Sequence, residues 1–124
     1  MRTARAIAGL VLAVSGASST ETVVRGWLSD EQCARGRASS GAYTQTNPDC
    51  ARECVRSGKK IVLIDGEARR ILIIENQQQA MESVGNYVAV TGEIDARKQT
   101  LYITSLKLLE VGHASCERPK KANK

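Results

Sequence analysis

The chain has 124 residues, enough for one domain, with a formal net charge of +5, four cysteines, one histidine and no phenylalanine. The positive excess does not describe a basic surface. Residues 18–117 hold 12 basic and 13 acidic side chains, while Arg118, Lys120, Lys121 and Lys124 crowd the last seven positions. Nucleic acid calls for cations built into a folded face, so the composition argues against a nucleic-acid partner.

The first segment has the order of a secretory signal. Arg2 and Arg5 precede an apolar run, Ala6 to Val14, and Ser15-Gly16-Ala17 supplies small residues before a cleavage point after Ala17. Nine apolar residues are too few to span a bilayer, which takes about 20 in a helix. The expected organisation is a signal peptide at 1–17, a domain at 18–111 and a polar basic tail at 112–124. Export to the periplasm or beyond follows, with no membrane span left after cleavage. The mature chain would have 107 residues, a size that commonly needs staples beside its core. Without Phe, β-branched aliphatics must fill that core, which favours sheets.

Residues 22–28 read as a first strand, with Gly26 marking a bulge or sharp coil. Residues 29–49 show no sustained periodicity and read as a long loop with one helical turn. Asn47 then caps a helix, Pro48 takes its first position, and Gly58 ends it. Residues 61–64 and 70–74 form a hairpin around Asp65-Gly66. Asn76 and Gln79 form the reciprocal cap of a short helix over 76–84, with Ala80, Met81 and Val84 inward. Residues 87–94 alternate as a strand, and 101–108 form the last one, with a slip of alternation near Ser105. The interior should include Val24, Leu63, Ile73, Val88, Val90, Ile94 and Ile103.

This order is mainly β with short helices. It resembles the OB-fold, a five-stranded partly open barrel, here with a cysteine-containing helical insert after strand 1. Residues 86–108, centred on Val88-Ala89-Val90-Thr91-Gly92-Glu93-Ile94-Asp95, resemble the end of the small periplasmic bacterial OB-fold proteins. Gly26-Trp27-Leu28-Ser29-Asp30 with Cys33, followed by Cys50, Cys54 and Gly58-Lys59-Lys60, is similar to a family of small exported bacterial proteins of unknown function. That resemblance implies the fold and the export, and no chemistry.

Four cysteines in an exported chain read first as disulfides. Cys50 and Cys54 emerge from one face of a helix in parallel, which suits a mutual bridge poorly. Each should reach a different partner, giving Cys33–Cys50 with Cys54–Cys116, or Cys33–Cys54 with Cys50–Cys116. The other reading is a thiol metal carrier: Cys50 and Cys54 with His113 or Met81 would suit Cu(I) or Zn(II). Cys-x-x-x-Cys with a distant His also resembles the copper-delivery proteins of the Sco type, although their thioredoxin-like βαβ surroundings are missing.

No other pattern points to catalysis. His113 lacks an orienting group for a Ser-His-Asp triad, and no phosphate loop or paired carboxylates stand out. Arg69-Arg70 and Lys59-Lys60 read as solvated strand ends. Trp27, Tyr87 and Tyr102 are the residues that a stacking surface would use. The expected function is a non-enzymatic exported OB-like module, binding or structural, stapled by disulfides and needing no cofactor. The metal carrier, with copper or zinc, is the alternative.

Overall fold

The computed structural model describes residues 21–113. The signal-peptide expectation, Cys116 and most of the basic tail lie outside them. Five strands, β1 (Thr22–Asp30), β2 (Ile61–Asp65), β3 (Arg70–Ile74), β4 (Tyr87–Asp95) and β5 (Thr100–Glu110), close into a ring in the order β1-β2-β3-β5-β4. All neighbours are antiparallel except β3 and β5, which pair in parallel at Ile73–Thr100 and Ile74–Leu101. Two α-helices, α1 (Glu31–Ala38) and α2 (Pro48–Arg56), fill the connection from β1 to β2, and a 3₁₀ helix, Gln77–Ser83, joins β3 to β4.

The core has two layers because β2 is buried along its whole length. Ile61 and Leu63 point into the ring beside Val24, Leu28, Leu72, Val88, Val90 and Ile103. Val62 and Ile64 point outward beneath α1, where they meet Ala34 and Ile71. An apolar run without alternation is the signature of a strand covered on both faces.

That second layer explains one correction. Ile73 was expected inside the ring, but it is half-buried against the outer cluster, and Leu72 and Ile74 are the inward residues of β3. In a five-residue apolar run, periodicity cannot say which face is which. Val24, Leu63, Val88, Val90 and Ile103 lie in the inner core as expected, and Ile94 packs at its edge.

Gly26 makes no bulge. It sits in a regular ladder opposite Val88, and an added Cβ would lie 2.2 Å from the Ile64 carbonyl oxygen. Its role is close backbone approach, where β1 passes from β4 to β2. The expected slip near Ser105 is present, since the β4–β5 register shifts between Thr91 and Gly92, whose partners are Ser105 and Ile103.

The segment expected as a loop carries a full helix. In α1 only Ala34 is buried, so no apolar stripe announces it. Local bonds hold it instead: the Asp30 carboxylate caps it, and Arg35 meets Glu31 at 2.8 Å one turn away.

The short helix over 77–83 is 3₁₀, and Asn76 does not cap it. Both ends of the Asn76 amide instead bond the backbone of Ile103, each at 2.9 Å. Gln77 does the same for Ile61 and also donates to the Ile74 carbonyl. Each amide stands in for a missing strand neighbour beside the short β3–β5 pairing. Met81, expected inward, is 45% exposed, while Ala80 and Val84 are buried.

Candidate functional site

The chemistry gathers where β1 ends. Asp30 is the last residue of that strand and is fully buried. It pairs opposite Ile61 and then turns the chain into α1, its Oδ2 accepting the Cys33 backbone N–H at 2.8 Å. An Asp cap therefore holds the residue three positions on beside its own carboxylate, which gives the Asp-x-x-Cys spacing a geometric meaning.

The second thiol arrives on α2. Asn47 caps that helix, accepting from the N–H groups of Asp49 and Cys50. Ala51 is buried, and Val55 packs against the core. At about 100° per residue, Cys54 lies roughly 60° from the Ala51 direction and Cys50 roughly 100°. Cys54 is accordingly half-buried and Cys50 exposed. Just before α2, the buried hydroxyls of Ser29 and Thr46 bond each other and tie its approach to β1.

The result is a cluster of Asp30, Cys33 and Cys54, with one ligand atom from each within 4.8 Å of the others. Asp30 Oδ1 is buried and has no hydrogen-bond partner among the described residues. Burial, then the Asp30 carboxylate and then Cys54, push the Cys33 thiol up to about 12. Uncoordinated, Cys33 is a neutral thiol and a poor nucleophile. Two sulfurs and a carboxylate oxygen at this separation can close on a metal ion, or the sulfurs can join to each other.

The expected site residues separate. Cys33, Cys50 and Cys54 are all free, so no bridge exists among the described residues, and both expected pairing schemes include Cys116, outside them. Cys50 and His113 are not members of the cluster. His113 is exposed, and its carbonyl accepts from Gln45 at 2.6 Å. Of the ligands that the sequence suggested, Cys54 is in the cluster, and Cys33 and Asp30 stand beside it where Cys50 and His113 were expected. Sequence reading missed Asp30 because an Asp after a strand passes for a turn residue.

Trp27 and Tyr87 do meet, with ring centroids 5.0 Å apart at 49°. With Tyr43 they line a cavity of about 260 Å³. Tyr102 is half exposed on β5 and takes no part in that lining.

Among the described residues no helix is long and apolar enough to cross a membrane. Comparison with protein-family models, with curated proteins and with solved structures returned no match.

Proposed function

We propose that this chain is an exported, non-enzymatic OB-like binding module whose Asp30–Cys33–Cys54 cluster holds one Zn(II) ion. The ring order, the parallel β3–β5 pair and a helix between β3 and β4 support the OB-like reading. The resemblance of the Gly26–Cys33 and Cys50–Cys54 segments, with the charged, apolar and small residues at 1–17, supports export.

The observation that carries the metal is a fully buried carboxylate, one oxygen of which meets no N–H or O–H donor among the described residues, between two helices that each bring a thiol. A buried carboxylate with an unmet oxygen costs free energy until a cation satisfies it. Thiolates suit both Zn(II) and Cu(I), but a carboxylate belongs to zinc rather than to soft Cu(I). Tetrahedral zinc, with Zn–S of about 2.3 Å, places two sulfurs roughly 3.8 Å apart, and the three ligand atoms here lie within 4.8 Å of one another. Three protein ligands leave a fourth position, and the half-buried thiols put it toward solvent. That geometry suits reversible uptake of the ion more than a closed structural site.

A second reading rests on the same proximity. In an oxidising compartment Cys33 and Cys54 join as a disulfide, closing the insert onto the ring. One experiment separates the two. Protein isolated from the periplasm without chelators is weighed under native and denaturing conditions. Zinc binding predicts one ion per chain, lost in Cys54→Ser and kept in Cys50→Ser. A metal-free chain about 2 Da lighter than its reduced form, with Cys33 and Cys54 in one disulfide-linked peptide pair, would establish the bridge instead. The same masses report whether residues 1–17 have been removed.

A further inference from the structure

A second site lies on the other side of α1, away from the cysteines' chemistry. There a shallow, largely open pocket of about 660 Å³ lies among α1, the β2–β3 turn, the start of β3 and the β4–β5 turn. Arg35, Arg69, Arg70 and Lys98 line it, and no acidic residue does. Two of these cations are already balanced: Arg35 by Glu31 at 2.8 Å and Arg70 by Asp65 at 3.0 Å. Arg69 and Lys98 have no ion pair among the described residues.

The backbone brings both of these cations to one edge, Arg69 on a left-handed residue and Lys98 through its N–H bond to Asp95. The two turns share one design, in which an aspartate opens the turn and bonds its backbone. Asp65 accepts the N–H of Ala68, and Asp95 accepts those of Arg97 and Lys98. Each turn closes on a residue in the left-handed region, Arg69 at φ 53° and Gln99 at φ 58°. These are the only such non-glycine residues among those described. Because β3 and β5 run parallel as neighbours, both turns give onto the same cavity. Glycine or asparagine would adopt that backbone more easily. Arg69 holds it with its guanidinium 4.9 Å over the Tyr43 ring and a bond to the Gly41 carbonyl at 3.4 Å. Strain of this kind persists where a side chain is needed at that place.

We infer that this cavity binds a small, multiply charged oxyanion, bearing phosphate or carboxylate groups, between Arg69 and Lys98. Arg35 and Arg70 set the field around it, and the Tyr43 ring fixes the Arg69 fork from below. Arg is suited to bidentate recognition of such groups and Lys to point-charge recognition. The net excess of two cations selects small anions carrying about two charges over a long polyanion, which needs many contacts. The inference does not depend on the zinc site.

The test is an NMR titration of the full mature chain at low ionic strength. Fructose 1,6-bisphosphate is the phosphate probe and benzene-1,3,5-tricarboxylate the carboxylate probe. Shifts should concentrate on the amides of Arg69, Lys98 and Gln99, and the probe with the tighter binding names the source of the charge. Arg69→Asn, which tolerates the left-handed backbone, and Lys98→Gln should each weaken binding by about fivefold to tenfold, as charge-assisted contacts do. Lys59→Gln with Lys60→Gln changes the total charge elsewhere and should leave binding within about twofold. Cys33→Ser with Cys54→Ser should leave it unchanged, which separates this site from the metal. Absence of binding by both probes overturns the inference, as does equal loss in the Lys59/Lys60 control. Binding that survives in the Arg69→Asn, Lys98→Gln double variant overturns it too.

Discussion

Asp30 serves Cys33 with one carboxylate oxygen and leaves the other unmet. Oδ2 takes the Cys33 N–H at 2.8 Å, while Oδ1 is buried without a partner. These two roles separate under substitution. Asp30→Asn keeps an oxygen for the cap and removes the buried charge. In metal-free protein it should fold at least as well as the parent, gaining up to about 1 kcal/mol, while its zinc affinity falls by about tenfold or more. Asp30→Ala also loses the cap and should cost about 1 kcal/mol without metal. Urea denaturation with and without zinc measures all three.

Exposure should rank the thiols. Cys50 is exposed, whereas Cys33 and Cys54 are half-buried and face each other across the cluster. Brief alkylation of native, reduced protein, followed by peptide mass mapping, should label Cys50 first. Zinc should protect Cys33 and Cys54 further and leave Cys50 unprotected, because metal binding needs the sulfur lone pair. Zinc protection of Cys50 in place of Cys33 would restore the ligand set that helical spacing suggested.

The two layers of the core predict unequal costs along β3. Leu72 is fully buried inside the ring, and Ile73 is half-buried outside it. Leu72→Ala should cost about 2–5 kcal/mol and Ile73→Ala clearly less. Ile103→Ala should fall in the same range as Leu72→Ala, and Val90→Ala, which removes a smaller side chain, should cost about 1–3 kcal/mol. Chemical denaturation midpoints at unchanged slope report the differences.

Two glycines should respond in opposite directions to one added methyl group. At Gly26 the new Cβ meets the Ile64 carbonyl oxygen at 2.2 Å and Leu63 at 2.6 Å. Gly26→Ala must part β1 from β2 and should cost about 3 kcal/mol or more. Gly36 lies within α1 with nothing inside 4 Å of an added Cβ. Gly36→Ala should stabilise by about 0.5–1 kcal/mol through helix propensity. Thermal melts of the two variants give the contrast directly.

What the residues announced was local. Asn47-Pro48 marks the start of α2, Asp65-Gly66 the β2–β3 turn, and the alternation of 87–94 the strand β4, because each signal acts within a few positions. The inner core followed wherever a strand alternates. It failed at Ile73, where both faces of β3 are covered and period two vanishes. α1 was illegible because it buries one alanine and depends on a cap and an ion pair. Asn76 resembled a helix cap, yet its amide reaches Ile103, 27 positions away. The site was half legible. The cysteines stood out by type, but which of them meet is decided by how α2 packs on β1. Asp30 could be recognised only once its burial was known, since sequence does not tell a buried cap from a solvated one. The cleft around Arg69 and Lys98 depends on β3 and β5 being parallel neighbours, a relation between turns 30 residues apart.

Zinc on Asp30, Cys33 and Cys54 can be read from X-ray absorption at the zinc edge of the one-to-one complex. Two sulfur neighbours at about 2.3 Å and oxygen or nitrogen neighbours at about 2.0–2.2 Å are expected. With zinc added in excess to refill the weakened variants, one sulfur should vanish in Cys33→Ser, one in Cys54→Ser and none in Cys50→Ser. A shell of oxygen and nitrogen alone, or a spectrum altered by Cys50→Ser but unchanged by Cys33→Ser, would contradict this ligand set.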